Sequence, residues 1–261
     1  TAGIILAAGR GSRMKSEVQK QYLPLGGRPV LFYALQTFQD SFLDEIILVT
    51  GAGEGEYCRR EIVEKYGFDK VSRITEGGAQ RYHSVFSGLL ALQACDYVFI
   101  HDGARPFVTR EMLERALRVV RAEKACILGM PVKDTIKLAD EQGFAAATPR
   151  RDRVWMVQTP QVFSFPLVRD AYAAFLEQEQ DLLQAGIGMT DDAMVVEHFT
   201  DTRVRLLEGS YDNIKITTPE DMVIAERILE KRQRGIPGQS RCLRGITGRG
   251  SCQIMAVLRT I

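Results

Sequence analysis

The chain has 261 residues and a formal net charge of +1, and 45% of its residues are hydrophobic and 26% charged. This is the composition of a globular protein with one substantial core, and its near-zero charge gives no general attraction to nucleic acid. No apolar run reaches the roughly 18 residues of a spanning helix, no secretory leader is visible, and five cysteines form no Cys-x-x-Cys pair. We therefore expect a reduced, cytoplasmic protein with no membrane or nucleic-acid partner.

The chain begins with an apolar strand at residues 3–6 that runs into a glycine-rich loop. A strand, a turn with open N–H groups and fixed positive charge together predict a polyphosphate site. The small and cationic residues of this loop are Ala7, Ala8, Gly9, Gly11, Arg13 and Lys20. A Walker A loop does not fit, because Ser12 and Arg13 follow Gly11 in place of Lys and Ser or Thr, and Met14 stands where a dinucleotide fingerprint has its third glycine.

Strand patterns then alternate with helical patterns. Apolar runs predict strands at 45–50, 71–75, 96–100 and 125–130, and a period of 3.6 predicts helices at 29–38, 54–66, 79–93 and 109–122. The alternation indicates a Rossmann-like α/β fold with a doubly wound, mainly parallel sheet. Ligands of such folds bind at the carboxyl ends of the strands, which is where the remaining motifs lie.

Two of these motifs follow strands directly. Gly77 and Gly78 precede a helix that Arg81 and Ser84 open, although a plain turn explains the glycines equally well. Asp102 ends the strand at 96–100 opposite the predicted phosphate loop, so that a Mg²⁺ ion bridging its carboxylate and phosphate oxygens is expected. The planar guanidinium of Arg105 suits a phosphate dianion.

The alternation stops after residue 131. Alternating residues at 132–138 and 154–158 predict two strands joined by an arginine-rich loop, which together form an arm at 132–158 that projects from the sheet. An exposed hairpin of this length needs a cover. A solvated basic loop is the alternative interpretation.

The last part of the sequence contains folding signals and unexplained polar residues. Thr159 either offers its hydroxyl to a phosphate or ends a strand before Pro160, and Thr190 is expected to cap a helix. Asp212 and Lys215 precede a predicted final strand and helix and have no role in a cap. We expect one domain at 1–232 and a tail of unknown order, rich in arginine and glycine, at 233–261.

Four ordered motifs of the chain resemble the cytidylyltransferase branch of the sugar-nucleotide pyrophosphorylase superfamily, the branch that includes 2-C-methyl-D-erythritol 4-phosphate cytidylyltransferase. The resemblance rests first on Leu-Ala-Ala-Gly-x-Gly-x-Arg-Met followed by Lys-Gln-Tyr-Leu. Two positions depart from the family pattern. Gln19 replaces the usual proline before Lys20, which changes the stiffness of the loop more than its charge, and Gly103 replaces an alanine beside Asp102.

The resemblance implies transfer of a cytidylyl group from CTP to 2-C-methyl-D-erythritol 4-phosphate, with release of diphosphate, in non-mevalonate isoprenoid precursor biosynthesis. It implies Mg²⁺ or another divalent cation as cofactor and a homodimer joined by the arm. The implied catalytic residues are Arg13, Lys20 and Lys215. The implied nucleotide-binding residues are Ala7, Ala8, Gly9, Gly11, Gly78, Ala79, Arg81, Ser84 and Gly103. The implied acceptor-binding residues are Arg105, Thr135, Arg151, Thr159 and Lys215, with Arg150 or Arg153 as alternatives to Arg151. The implied metal residues are Asp102 and Asp212.

Three other functions compete with this interpretation. Ribitol-5-phosphate cytidylyltransferase has similar loops, but Lys137 and the Asp-Gly-Ala-Arg-Pro motif favour methylerythritol phosphate. A Rossmann-type NAD(P)-dependent oxidoreductase lacks support, since no acid follows the first loop at the ribose-binding distance and the third glycine is absent. A nucleotide-binding regulator without catalysis is disfavoured by the set Arg13, Lys20, Asp102 and Lys215.

Overall fold

The computed structural model describes residues 1–9, 11, 14 and 18–234. The predicted role of Arg13 and nearly all of the predicted tail, from residue 235 onward, lie outside these residues. None of the helices that the described segments contain is long and apolar enough to cross a membrane.

The described part of the chain alternates between strands and helices. Its strands are β1 (Ala2–Ala7), β2 (Pro24–Leu25), β3 (Arg28–Pro29), β4 (Glu45–Thr50), β5 (Val71–Glu76), β6 (Tyr97–Asp102), β7 (Ala125–Pro131), β8 (Leu138–Ala139), β9 (Ala145–Ala147), β10 (Trp155–Ser164) and β11 (Arg205–Glu208). Its helices are α1 (Val30–Gln39), α2 (Gly55–Cys58), α3 (Arg81–Ala91), α4 (Arg110–Glu123), α5 (Phe165–Glu177), α6 (Glu179–Gln184), α7 (Asp192–Phe199) and α8 (Pro219–Arg234). A π-helical turn, Arg59–Glu64, extends α2.

Seven strands form the central sheet in the order β11-β7-β10-β6-β1-β4-β5. All of them run parallel except β10, which is antiparallel to both β6 and β7. The sheet is covered on both faces, by α3, α5 and α7 on one and by α1 and α4 on the other. The predicted doubly wound α/β fold is confirmed, and the continuous apolar runs of β1, β4 and β6 reflect burial on both faces.

The parallel strands bring four loops to one edge of the sheet. β1, β4, β5 and β6 lie side by side, so their carboxyl ends meet there. The antiparallel β10 enters the sheet beside the end of β6 and contains a bulge between Val157 and Gln161. Residues 158–160 lie within this bulge, where an extra residue re-aims neighbouring side chains.

The arm differs from its prediction. Residues 132–137 form no strand, and a short hairpin of β8 and β9 stands in the middle of the segment. Residues 155–158 are a strand, as expected, but they are the beginning of β10 and pair with the end of β7, with Trp155 opposite Pro131. The predicted strand at 132–138 is therefore wrong for most of its length, because alternation describes a surface pattern and does not identify the pairing partner.

Two further local predictions are corrected. Asp191 caps α7, since its side chain accepts a hydrogen bond from the Met194 amide, and Thr190 lies outside the cap. Between Asp212 and residue 234 the structure contains no strand, and residues 209–217 run without regular structure to α8. Asp221, in the first turn of α8, accepts hydrogen bonds from the amides of Thr217 and Thr218.

Candidate active site

An open cavity of about 930 Å³ lies at the carboxyl ends of the parallel strands. Its wall consists of the loops that follow β1, β4, β5 and β6, together with the segment before α8. Nine residues predicted from the sequence line it: Ala8, Gly9, Lys20, Gly78, Ala79, Arg81, Ser84, Asp102 and Lys215. They come from five separate stretches of chain, which the parallel topology brings together.

The loop after β5 is built by close packing between small residues. A Cβ on Gly77 would overlap the Ser84 Oγ and lie 2.6 Å from the Ala8 Cβ. The Ser84 hydroxyl, which is buried, accepts a hydrogen bond of 3.2 Å from the Gly78 amide. The glycine pair therefore does more than form a turn, since it allows this loop to contact the loop after β1.

Asp102 is surrounded by three cations at the end of β6. Its Oδ2 lies 2.8 Å from Lys215 Nζ and 3.7 Å from Arg105 Nε, and its Oδ1 lies 3.4 Å from Arg81 Nε. Burial alone would raise the pKa of Asp102, but the three cations hold it well below its usual value. We call Arg81, Asp102, Arg105 and Lys215 the Asp102 cluster. Its cations outnumber its single carboxylate, so it can receive a further anion.

A second carboxylate, that of Asp192, forms a bidentate ion pair with Arg81. Arg81 Nη1 and Nη2 donate to the two oxygens of Asp192 at 2.7 and 2.8 Å, and the Tyr172 hydroxyl donates to the same carboxylate at 2.5 Å. Burial alone would lower the pKa of Arg81, but Asp192 and Asp102 raise it well above its usual value. Asp192 is fully buried at the start of α7. The sequence placed it only in the first turn of a helix, and no spacing links it to Arg81.

A hydrogen-bond relay holds the backbone of Asp102. The Thr159 hydroxyl accepts from the Asp102 amide at 3.1 Å and lies 3.0 Å from His101 Nδ1, while His101 Nε2 lies 3.1 Å from the Arg105 carbonyl. A carbonyl only accepts, so Nε2 carries the proton and Nδ1 accepts from Thr159. Burial lowers the pKa of His101 to about 4, which keeps the ring neutral.

This relay corrects the prediction for Thr159. Its side chain is buried, and its hydroxyl is engaged by two protein partners on the side away from the cavity. The bulge of β10 places Thr159 behind Asp102, where it positions that residue. The sequence identified the right residue, but its hydroxyl does not point to a phosphate.

Arg105 also lies behind the cavity. Its Nη1 donates to the Asn213 carbonyl at 2.9 Å, and Asn213 Nδ2 donates to the Thr159 carbonyl at 2.9 Å. The Ile216 amide donates to the Ala104 carbonyl at 2.9 Å. These contacts join the segment that carries Lys215 to the end of β6, so Arg105 fixes the site's geometry and does not line the cavity.

The first loop is anchored to β1 by a short helical turn, Lys20–Tyr22, of type 3-10. Gln21 Nε2 donates to the carbonyl of Ala7, which is buried beneath the cavity wall. Gly11 has a φ of +64°, and a Cβ there would lie 3.3 Å from the Lys20 side chain. Gly103 is likewise a packing residue, because a Cβ would lie 2.9 Å from the Leu6 carbonyl oxygen.

Three further predicted residues, Asp212, Thr135 and Arg151, also do not line the cavity of this chain. Asp212 lies 4.0 Å from Lys231 and is 42% exposed, so the structure does not bring it to Asp102 as a second metal carboxylate. Thr135 and Arg151 lie on the exposed arm, where Arg151 Nη1 donates to the Lys133 carbonyl at 3.1 Å. Among the described residues no group of three or more His, Cys, Asp or Glu side chains could hold a metal ion.

The family model for 2-C-methyl-D-erythritol 4-phosphate cytidylyltransferase matches residues 1–231. The enzyme of that name from Alkaliphilus oremlandii is 46% identical over 237 residues, which are 90% of this chain and 97% of the relative. The one from Lachnoclostridium phytofermentans is 44% identical over 230 residues, 88% of this chain and 96% of the relative.

Solved structures agree with these relatives. The 4-diphosphocytidyl-2C-methyl-D-erythritol synthase of Anaerococcus prevotii superposes with a TM-score of 0.76 at 36% identity, over 88% of this chain and 95% of that one. The Thermus thermophilus cytidylyltransferase superposes with a TM-score of 0.67 at 30% identity, over 87% and 98% of the two chains. The cavity, its loops and these likenesses together show that the chain belongs to the 2-C-methyl-D-erythritol 4-phosphate cytidylyltransferase family.

Proposed function

We propose that this chain transfers the cytidylyl group of CTP to 2-C-methyl-D-erythritol 4-phosphate in non-mevalonate isoprenoid precursor biosynthesis. Membership of the family supports the reaction. The observation that carries the proposal for this chain is the convergence of Lys20, Arg81 and Lys215 on one cavity that small residues also line. Such a cavity suits a nucleotide with a polyanionic tail.

The reaction needs control of charge more than proton transfer. A phosphate oxygen of the acceptor attacks the α-phosphorus of CTP, a new P–O bond forms, and the bond to the leaving diphosphate breaks. A phosphate monoester has its second pKa near 6, so the nucleophile is already a dianion at neutral pH and requires no general base. The protein must bring two anions together and stabilise the charge that builds on the equatorial oxygens.

The proposed role of each residue follows from its position at the cavity. Gly78, Ala79 and Ser84 form the wall that receives the base and ribose, and Lys20 approaches the triphosphate from the loop after β1. Lys215, whose Nζ lies 2.8 Å from Asp102 Oδ2, is proposed to bind the acceptor phosphate. Arg13 is proposed to assist Lys20, on the strength of the family motif alone.

Asp102 is the residue we propose to contact a divalent cation such as Mg²⁺. It is an ionised carboxylate at the cavity wall, and the contact of its Oδ1 with Arg81 Nε is long, at 3.4 Å, so this hard oxygen is the one we propose to contact the cation. One carboxylate does not make a metal site alone, and the nucleotide phosphates would supply further ligands. A bound cation would offset the negative charge of the triphosphate and orient it.

We propose that the arm contacts a second subunit and contributes residues to that subunit's cavity. Apolar side chains are exposed along it, with Phe144 71% and Leu138 53% accessible. A homodimer would cover them and carry Thr135 and Arg151 to the partner's cavity. Arg150 and Arg153 remain alternatives to Arg151.

Diphosphate release from CTP tests the proposal directly. The purified protein is incubated with CTP, Mg²⁺ and either 2-C-methyl-D-erythritol 4-phosphate or ribitol 5-phosphate, and products are identified by phosphorus NMR. We expect a cytidine diphosphate ester and diphosphate with the methylerythritol acceptor. Faster turnover of ribitol 5-phosphate would reassign the acceptor, and no diphosphate with either would overturn the proposed activity.

A further inference from the structure

Glu54 is an acid in the wall of the cavity with no part in the proposed chemistry. It follows β4, directly before α2, and lines the cavity on the side of Lys20. A carboxylate beside a polyphosphate site repels the ligand, so its presence calls for a reason. The carboxylate is engaged by the first loop: its Oε2 accepts from the Tyr22 hydroxyl at 2.8 Å, and its Oε1 accepts from Gln19 Nε2.

These two partners stand on either side of Lys20. The turn itself is held by bonds from the Tyr22 amide to the Gln19 carbonyl, 2.9 Å, and from the Leu23 amide to the Lys20 carbonyl, 3.3 Å. Glu54 thus accepts hydrogen bonds from a residue before Lys20 and from a residue after it, at both ends of the short turn. Its Oε2 also accepts from the Gly51 amide at 3.3 Å, which ties the carboxylate to the end of β4.

The environment of Tyr22 keeps its hydroxyl protonated, so that it can donate to Glu54. Burial and the neighbouring Cys58 and Glu54 raise the pKa of Tyr22 far above its usual value, so the phenol stays a donor. Burial raises the pKa of the Cys58 thiol to about 11, and its Sγ lies 3.0 Å from the Tyr22 hydroxyl. The Tyr22 hydroxyl therefore has two protein partners, Glu54 and Cys58, which together fix the tip of the side chain.

We propose that Glu54 is a positioning residue that sets Lys20 against the phosphates through Gln19 and Tyr22. Gln19 has φ −65° and ψ 142°, the conformation in which a proline ring would hold the backbone. In this chain the restraint comes from the Gln19 side chain bound to Glu54. The inference rests on the proposed role of Lys20, and it predicts that a restraint in the backbone can replace the carboxylate.

The first test compares kcat in single and double variants. Glu54→Gln keeps the size of the side chain but turns one acceptor into a donor, and we expect kcat to fall about tenfold, since small displacements of a reacting group are costly. Lys20→Ala should lower kcat by roughly 10²–10³-fold. In the Lys20→Ala background, Glu54→Gln should change kcat less than about twofold, because coupled residues are not additive. An undiminished tenfold loss there would overturn the inference.

The second test is rescue by proline. In a Gln19→Pro parent, Glu54→Gln should lower kcat by less than about threefold relative to that parent, because the ring now holds the turn. Glu56→Ala is the matched control, since Glu56 lies two residues further along and is 71% exposed beside Arg59. It should leave kcat unchanged in every background. A full tenfold loss in the Gln19→Pro parent would contradict the proposal.

Hydrogen exchange separates this inference from the proposed activity. Amides of Tyr22 and Leu23, measured by mass spectrometry without substrate, should exchange faster in Glu54→Gln and return toward the parent rate when Gln19→Pro is added. Unchanged exchange in Glu54→Gln, with the unfolding midpoint also unchanged, would show that Glu54 does not hold the turn. Failure of the wild-type protein to release diphosphate would overturn the proposed function and leave the exchange result standing.

Discussion

The three cations of the Asp102 cluster and the three arginines of the arm lie in opposite surroundings. In the cluster, Asp102 and Arg105 are 10% and 12% exposed at the side chain, and each group is paired within one chain. On the arm, the Arg150–Asp152 pair is 70% and 61% exposed. Buried, hydrogen-bonded charges have a fixed geometry, whereas exposed pairs contribute little and adopt one geometry at an entropic cost. The cluster is therefore preorganised by the fold, and the arm requires a second surface to place its arginines.

The largest expected effect is the loss of a cation from the cluster. Lys215→Ala should lower kcat about 10²–10³-fold, because one preorganised donor to developing charge is removed. Asp102 keeps Arg81 and Arg105 as neighbours, so the fold should be retained. Steady-state diphosphate release measures kcat. Lys231→Ala, an exposed lysine of α8, is the control, and equal losses in the two variants would refute a special role for Lys215.

The next effect concerns stability. Asp192→Asn should lower the free energy of unfolding by about 3 kcal/mol, because the fully buried Asp192 carboxylate is one half of a bidentate ion pair and its loss leaves the half-buried Arg81 without this partner. Urea denaturation followed by circular dichroism measures it. Asp170→Asn, on the exposed surface of α5, should change it by less than about 0.5 kcal/mol. A small effect of Asp192→Asn would mean that the contact with Asp102 is enough to hold Arg81 and that Asp192 contributes little.

The relay at Thr159 should have a smaller effect. Thr159→Val keeps the shape but leaves the Asp102 amide and His101 Nδ1 unpaired, so kcat/KM should fall roughly tenfold. Thr159→Ser, which retains the hydroxyl, should regain most of that loss. If Thr159→Ser loses as much kcat/KM as Thr159→Val, the methyl group of Thr159 is important for activity and the hydroxyl relay is not.

The arm is tested by a mixed dimer. One chain carries Lys215→Ala and the other Arg151→Ala, each with a different tag, and the heterodimer is purified through both tags. If Arg151 acts in the partner's site, one site of the pair is intact and about half the wild-type rate is expected. If it acts in its own site, each site has one defect and the rate stays at the level of the parent variants. Arg150→Ala and Arg153→Ala in the same design identify which arginine reaches across.

Local sequence patterns explain the strands and helices that were predicted correctly, and tertiary contacts explain the strand that was not. The strand predicted at 45–50 is observed as Glu45–Thr50, and the helix predicted at 109–122 is Arg110–Glu123 with Thr109 as its cap. Such elements are set by apolar period and by capping residues, which lie within a few positions of one another. The strand predicted at 132–138 was wrong because its partner, unlike its pattern, is not local.

The sequence by itself determined the α/β class, the edge of the sheet where the cavity lies and half of the residues that line it, because the parallel strands all end at that edge. Only the tertiary structure showed that Asp192 holds Arg81, that Thr159 faces His101 and that Glu54 reaches the turn carrying Lys20. Arg81 and Asp192 are 111 positions apart, and no periodicity records a contact across that distance. The choice of partner for a buried charge depends on packing of the whole chain, whereas the tendency to form a strand or a loop depends on near neighbours alone.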